Sequence, residues 1–510
     1  MLARVRHSDA VAAALIFALL LSACLLTASA SLNTIDFRIN YLQTQALADA
    51  QTIYLPPHPE LLYQGPSGQW VSKYGLGLPI LSVPLYVAGE ALPRILYPSG
   101  QARDLTLHFV MLTNDVVTAV TGALLFLVCR RIPCGRGVSS AVAIAWGVTT
   151  PALVYADTLF SEPVVALCLV LATLALLEYE RRGENGRFWA LALASFSLGY
   201  ALVTRASSVA MVPLFLLYAA HAAMKHPEGS DLRRLLRRNP ARDSGGQGAD
   251  SGSQFRALLS AVVALALPLG VLGASVLWYN FARHGNPLDF GYVGEAFSSP
   301  LLEGVYGLVA SPGKGLVEYA PLVLLSAVGW PAFFRARPGV ALLCAGITGV
   351  ALLQGALWWA WWGGWCWGPR FLVPALPFAL LPMCTLLGAS VTARRSALVL
   401  GGLGLAVTLS GALVDVNSYL TAAYSADLVE PQIYLRAELS PILGHVRYVL
   451  EGQHIDSVAF RAGASRVPPV RLFPVVALGV LVVSAVLLFG RSGLARNSGS
   501  RAPENPSSGQ

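Results

Sequence analysis

Residues 10–38 read AVAAALIFALLLSACLLTASASLNTIDFR. The first part carries no charge over roughly 20 residues, long enough to cross the hydrocarbon core of a bilayer as a helix. Arg4 and Arg6 precede it, so its start is expected on the cytoplasmic side and its end outside. Ala28-Ser29-Ala30 also fits a signal-peptidase site. The length of the apolar run favours an uncleaved anchor, and both readings put the next loop outside. That loop is polar at once, with an isolated acid, Asp36, a few residues beyond the apolar run.

The polar stretch continues to Gly75 as SLNTIDFRINYLQTQALADAQTIYLPPHPELLYQGPSGQWVSKYG. It holds helix-like pieces, a break at Pro56-Pro57, and the cations Arg38 and Lys73. The bland role for Asp36 is to cap the helix DFRINYLQTQALADA, since an acid at a helix start satisfies free N–H groups and complements the dipole.

Further along, runs of about 20 apolar residues recur. The 510 residues are 55 % hydrophobic and 12 % charged, with mean hydropathy +0.60. That is about half the charge of an ordinary soluble chain. The expectation is an all-α integral membrane protein, a polytopic helical bundle. Full spans are expected at 10–30, 107–129, 138–156, 162–180, 187–204, 207–224, 257–280, 316–334, 339–358, 371–389, 396–416 and 472–490. This makes twelve, or thirteen if 76–97 crosses. That segment is broken by Pro79, Pro84 and Pro93 and contains Glu90. A full crossing there would put Arg130, Arg131 and Arg136 outside, so 76–97 reads as a re-entrant or interfacial pair of short helices. The transmembrane domain then covers 1–490, with outer loops at 31–75 and 417–471, a mobile cytoplasmic loop at 226–255 and a disordered tail at 491–510. Arg233, Arg234, Arg237 and Arg238 in the cytoplasmic loop suit anionic headgroups.

The net charge of +8 does not point to nucleic acid, because the basic residues flank apolar runs and report topology. Both termini come out cytoplasmic. The seven cysteines stand singly and show no metal spacing.

Ionisable groups inside spans cost roughly 2.5–3.5 kcal/mol each, so each needs a reason. They gather on the outer side: Asp115, Asp157 and Glu162 in YADTLFSEP, Arg205 in LVTRASS, and Asp415. Glu162 before Pro163 suits a helix cap, and Asp115 suits a buried hydrogen bond. Arg205 opposes the positive-inside trend and calls for an anion, either Asp157, Glu162 or a phosphate. Two outer loops add candidates. Residues 278–319 hold Asn280, Arg283, Asn286, Tyr292 and a glycine-flanked Lys314, whose SPGKG is not a phosphate-binding loop of the GxxxxGK[ST] kind. Residues 358–370, WWAWWGGWCWGPR, place Trp365 and Arg370 beside the Gly363-Gly364 turn. Tryptophan belongs to the membrane interface, but indole faces also take sugar rings and Arg takes phosphate.

In the order and placement of these features, the chain resembles the GT-C superfamily of polyprenyl-phosphate-dependent glycosyltransferases over roughly residues 10–390. Relatives include the dolichyl-phosphate-mannose protein mannosyltransferases and the bacterial aminoarabinose-type transferases. The shared features are the first span, Asp36 early in a large outer loop, YGLGLPILSVPLY, YADTLFSEP, LVTRAS and WGPRFLVPALP. The resemblance implies a GT-C-type bundle in a bacterial plasma membrane that takes a sugar from a polyprenyl-phosphate donor on the extracytoplasmic side. It implies that Asp36 is the catalytic base. Acceptors in that family are glycans, lipids or proteins. Members often carry a second acid after the first, and here that position is Phe37, which leaves the acceptor side and any divalent metal open. The chemistry agrees independently, since such a transfer needs a carboxylate for the acceptor proton and cations for the departing phosphate. Lys73, Glu162, Arg205, Lys314, Trp365 and Arg370 are the candidate substrate contacts. No DxD occurs in the sequence. The alternative is a transporter or lipid-carrier flippase. That would place polar groups at the bilayer midplane between repeated halves, and the sequence has neither. A non-catalytic assembly subunit is a third reading, indicated if Asp36 is dispensable.

Overall fold

The protein is described from a computed structural model covering residues 2–29, 34–96, 105–132, 134–181, 184–225, 251–426, 428, 430–457, 459 and 468–497. Most of the expected loop 226–255, with its four arginines, and the chain after Asn497 lie outside these residues.

Each apolar run of the sequence is helical. In order the helices are α1 (Leu2–Thr27), α2 (Ile35–Asp49), α3 (Gly77–Leu96), α4 (Leu105–Arg131), α5 (Arg136–Val148), α6 (Ala152–Ala156), α7 (Glu162–Tyr179), α8 (Glu184–Thr204), α9 (Val212–Lys225) and α10 (Ser251–His284). They continue with α11 (Leu301–Ala310), α12 (Leu316–Tyr319), α13 (Leu322–Ala336), α14 (Pro338–Leu357), α15 (Leu376–Leu380), α16 (Met383–Ala389) and α17 (Val391–Leu413). The last are α18 (Val416–Ser425), α19 (Gln432–Leu435), α20 (Pro441–Glu451) and α21 (Pro468–Asn497). Among the described residues, eight helices are long and apolar enough to cross a membrane. The chain is an all-α polytopic membrane protein.

Proline explains where the runs break. The segment 138–156 divides at Pro151 into α5 and α6, and 371–389 opens as a 3-10 turn, Arg370–Ala375, around Pro374. A ring in place of an N–H removes one helical bond and crowds the preceding turn. The last helix extends past the expected 472–490 on both sides, so the tail from 491 begins helical.

One expectation is corrected. Residues 76–97 are not a pair of short helices, because α3 is continuous from Gly77 to Leu96. Pro79 falls in the first turn, where its missing N–H has no intrahelical partner anyway. At Pro84 only one interior hydrogen bond is lost, and packing against α2, α4 and α8 holds the helix.

A Cβ on Gly77 would lie 2.7 Å from the Cα of Thr204, and one on Gly89 would lie 2.8 Å from the Cα of Thr106. Gly77 thus sits on the end of α8 and Gly89 on the start of α4. The far end of α4 is fixed by Arg130, which bonds Asp9 in α1 at 3.1 Å. The ends of α4 are about 40 Å apart at 1.5 Å per residue. Both halves of α3 therefore stay at the end of the bundle where α4 begins, the same end to which α1 delivers Asp36.

The centre of the bundle is α7, whose buried residues run almost without interruption from Glu162 to Tyr179. It packs against α4 and α8, with α1 and α3 on α4, α10 along α8, and α21 along α1. The outward faces of α10, α17 and α21 stay apolar and exposed, for example Leu267, Val271, Leu398, Val399, Val475 and Val476. That pattern suits contact with lipid tails. The stretch between α2 and α3 adds an antiparallel hairpin, β1 (Tyr63–Gln64) and β2 (Trp70–Val71), with Tyr63 opposite Val71. The hairpin rests on the end of α10: a Cβ on Gly65 would lie 2.2 Å from the carbonyl oxygen of Arg283.

Candidate active site

Thr34 starts α2. Its hydroxyl accepts from the N–H of Phe37 at 3.3 Å, so Thr34 is the cap. Asp36 stands in the first turn and is free to reach elsewhere. Its Oδ1 accepts from Nη2 of Arg370 at 2.6 Å. The carboxylate thus ends opposite a guanidinium from the Trp-rich turn, far away in sequence. Asn40, one turn on, donates to the carbonyl of Leu159 at 2.9 Å and fixes α2 against the turn before α7.

Glu162 stands at the start of α7 and is fully buried. Its Oε1 accepts from Nε of Arg370 at 2.7 Å and also from Nη1 of Arg205. Arg205 comes directly after α8 in an extended conformation, and its Nε donates to Ser207 Oγ at 3.1 Å. No acceptor within the described residues takes its Nη2. The Arg370 guanidinium lies 3.8 Å from the centroid of the Phe160 ring. The four side chains form a ladder, Asp36–Arg370–Glu162–Arg205, of two negative and two positive charges. The anion called for by Arg205 is Glu162. Asp157 instead accepts from the N–H of Ser29 at 2.5 Å. Buried Asp115 has no hydrogen-bond partner among the described residues.

The two glycines of the Trp-rich turn allow Arg370 to arrive. Gly363 and Gly364 have φ of +75° and +72°, the left-handed region that L side chains rarely adopt. This folds the turn back so that Gly363 lies against Arg370, with a Cβ there 3.1 Å from the Cβ of Arg370.

The ladder borders a cavity of about 1450 Å³, with Glu162 buried behind the wall; the volume is larger than the usual 300–1,000 Å³ of a small-molecule site. Asp36, Arg205 and Arg370 line it, as does Lys73. Lys73 pairs with Glu295, and its ammonium lies 5.1 Å from the Tyr292 ring centroid. Glu295 also accepts from Trp359 Nε1 at 3.3 Å. Much of the remaining wall is apolar, including Ile80, Leu202, Val209, Met211, Ala351 and Phe371.

Two candidates lie elsewhere. Lys314 is fully buried. Its ammonium donates to the carbonyls of Cys366 at 2.7 Å and Gly364 at 3.1 Å, and it sits 4.5 Å from the Tyr434 ring. It holds the back of the Trp-rich turn rather than the cavity. Trp365 packs its ring against Tyr424 at 5.2 Å and is not part of the cavity wall, whereas Trp358, Trp359 and Trp362 are.

Sequence reasoning missed Tyr74 and Glu295, and understated Arg283. Arg283 is buried, stacks 3.8 Å from the Tyr279 ring, and donates to the carbonyl of Ser72 and, at 2.7 Å, to Asn280 Oδ1. It ties the hairpin segment to α10. The Tyr74 carbonyl accepts from Gln43, Tyr279 and Arg283 within 3.4 Å. Burial, and then the nearby Asp36 carboxylate, push the Tyr74 phenol well above its usual pKa. The position of Tyr74 directly after Lys73 was the available signal. Among the described residues, no group of three His, Cys, Asp or Glu side chains is arranged to hold a metal ion.

No protein family and no curated protein matches the chain. Among solved structures it is similar to ArnT from Cupriavidus metallidurans in the apo state, at 14 % identity and TM-score 0.49 over 96 % of this chain and 77 % of that one. For ArnT bound to undecaprenyl phosphate the values are 15 %, 0.47, 98 % and 80 %. For the apo oligosaccharyltransferase of Archaeoglobus fulgidus they are 14 %, 0.40, 92 % and 55 %.

Proposed function

We propose that this chain is a glycosyltransferase of GT-C type that moves a sugar from a polyprenyl-phosphate carrier to an acceptor on the extracytoplasmic face, with Asp36 as general base. The observation that carries the reading is the charge ladder Asp36–Arg370–Glu162–Arg205, which brings Asp36, Arg370 and Arg205 into the wall of one large, mainly apolar cavity with Glu162 buried behind them. A lipid-borne donor needs an apolar wall for its chain beside fixed cations for its phosphate, and this cavity has both.

In the reaction an acceptor hydroxyl attacks the anomeric carbon of the donor sugar. Its proton passes to Asp36 while the new C–O bond forms. The bond from that carbon to the phosphate oxygen breaks, and the electron pair leaves on the polyprenyl phosphate. Arg205 and Arg370 hold that phosphate, where fixed positive charge is worth most because no solvent has to reorganise. Glu162 keeps the two guanidiniums together. Lys73 and Glu295, with Trp359, form a second polar patch in the cavity wall, suited to sugar or acceptor hydroxyls. Lys314 and Trp365 act from behind, by shaping the turn that presents Arg370. A twelve-span topology with both termini cytoplasmic would put this end of the bundle outside. Divalent metal is not required by these steps.

The test is loss of product and accumulation of donor together. Mass spectrometry of carrier lipids and glycans from a deletion strain should show a polyprenyl-phosphate sugar building up while one glycan modification disappears. An unchanged lipid and glycan profile refutes the assignment. A transporter would instead leave the sugar donor intact on the wrong face of the membrane, with purified protein giving no transfer in detergent.

A further inference from the structure

The ladder as it stands is electrically complete, and this bears on how it receives a substrate. Two carboxylates and two guanidiniums sum to zero. A phosphodiester adds one negative charge, so a third anion must share the same two cations. Three of the five N–H groups of Arg370 are in use: Nε to Glu162 at 2.7 Å, Nη2 to Asp36 at 2.6 Å, and Nη1 to the carbonyl of Gly363 at 3.5 Å. Arg205 lines the cavity, and no acceptor among the described residues takes its Nη2. An anion that bridges the two guanidiniums therefore draws on positive charge that Asp36 and Glu162 already neutralise, and it meets the repulsion of a carboxylate held on the same Arg370.

The two carboxylates are not equally easy to displace. Glu162 has no exposed side-chain surface and accepts from both arginines, while Asp36 is 16 % exposed and, among the described residues, pairs with Arg370 only. Removing Glu162 would leave Arg205 without its carboxylate and take one of two from Arg370, whereas moving Asp36 releases one group that already borders the cavity and leaves both arginines on Glu162.

We infer that Asp36 and the donor phosphate compete for Arg370, so that the empty enzyme holds its base in an inhibitory ion pair that donor binding releases. This rests on the proposed roles of Asp36 and the two arginines. The base becomes available only when a phosphate occupies the cations, which ties proton removal to the presence of the leaving group and discourages idle hydrolysis. When the polyprenyl phosphate departs, Arg370 takes Asp36 back.

The competition has a consequence opposite to that of an ordinary structural contact. If Asp36 merely braces Arg370, its loss should loosen the site and weaken phosphate binding. If it competes, its loss should tighten binding. The measurement is the affinity of the purified protein for farnesyl phosphate in detergent, by isothermal titration, for wild type, Asp36→Asn and Asp36→Ala. The expected result is tighter binding by the variants, on the order of tenfold, the size of a moderate coupling between two sites. The gain should vanish when Arg370→Gln is added. The Ala variant serves if the Asn variant does not fold, and thermal melting checks both. Equal or weaker binding by the variants overturns the competition while leaving the transferase assignment standing. Failure of wild type to bind any polyprenyl phosphate overturns the donor assignment itself.

Discussion

Replacing Asp36 by Asn keeps the shape of the side chain and removes its charge and basicity. The structural cost can be worked out from its contacts. The helix cap is untouched, because Thr34 supplies it. One charge-assisted hydrogen bond to Arg370, 2.6 Å long and partly buried, loses its ionic character, at about 1.5–3 kcal/mol. The favourable position of an acid in the first turn of α2 adds about 0.3–1 kcal/mol. Arg370 keeps Glu162 as a counter-charge, so it is not stranded. The total is a fraction of the ~5–15 kcal/mol that holds a typical protein folded, and the variant should purify in normal yield. Loss of a general base costs roughly 10²–10⁴ in rate, which at 1.36 kcal/mol per factor of ten is about 3–5 kcal/mol of barrier. The assay is the initial rate of sugar transfer from a polyprenyl-phosphate donor, per folded protein, with saturating donor so that tighter or weaker binding does not enter. A rate within about a factor of ten of wild type refutes the base assignment, because it falls short of the usual general-base contribution.

Three further outcomes come from the surroundings of the site. Lys314→Met keeps the length of the side chain but leaves the Gly364 and Cys366 carbonyls without their donor; at about 1–3 kcal/mol per stranded buried group, thermal unfolding should fall by several degrees, with transfer reduced through the displaced Arg370. Gly304→Ala would bring a methyl within 2.0 Å of the Ala356 carbonyl oxygen, so α11 must move off α14, and a loss of about 1–3 kcal/mol is expected in a melting curve. Burial lowers the His445 imidazole to about 4, below the ~6.5 of a free side chain; the unfolded chain then binds the extra proton between these values, so stability should be complete above pH 6.5 and fall toward pH 4, by about 2 kcal/mol at pH 5, and His445→Gln should flatten that slope.

How much of this is legible beforehand depends on whether the cause is local. The hydrophobic runs are readable because insertion of a helix into a bilayer depends on about 20 consecutive side chains and their flanking charges. The placement of Asp36 just past the first span comes from the same local count. The Thr34 cap is local too, a Thr before a helical run, although the acid two residues on competes with it for the same role in any reading of the chain. Whether 76–97 is one helix or two is not readable, because three prolines argue for a break and only packing on α2, α4 and α8 overrides them.

The sequence by itself determined that the chain is a polytopic membrane protein, that its unusual acids and bases gather at one end, and which of them are candidates. Hydropathy and chain order are enough for that, because each span is selected segment by segment. Only the tertiary structure decided their partners. Asp36 and Arg370 meet across 334 residues, Arg370 and Glu162 across 208, and Arg205 and Glu162 across 43. No spacing in the chain encodes such meetings. They depend on which helix ends are brought together around α7, and on two glycines that let the Trp-rich turn fold back. The same packing put Lys314, a candidate substrate contact from the sequence, behind the turn and out of the cavity wall. Ion pairing is decided by distances of a few ångströms in three dimensions, and those are set by the bundle as a whole.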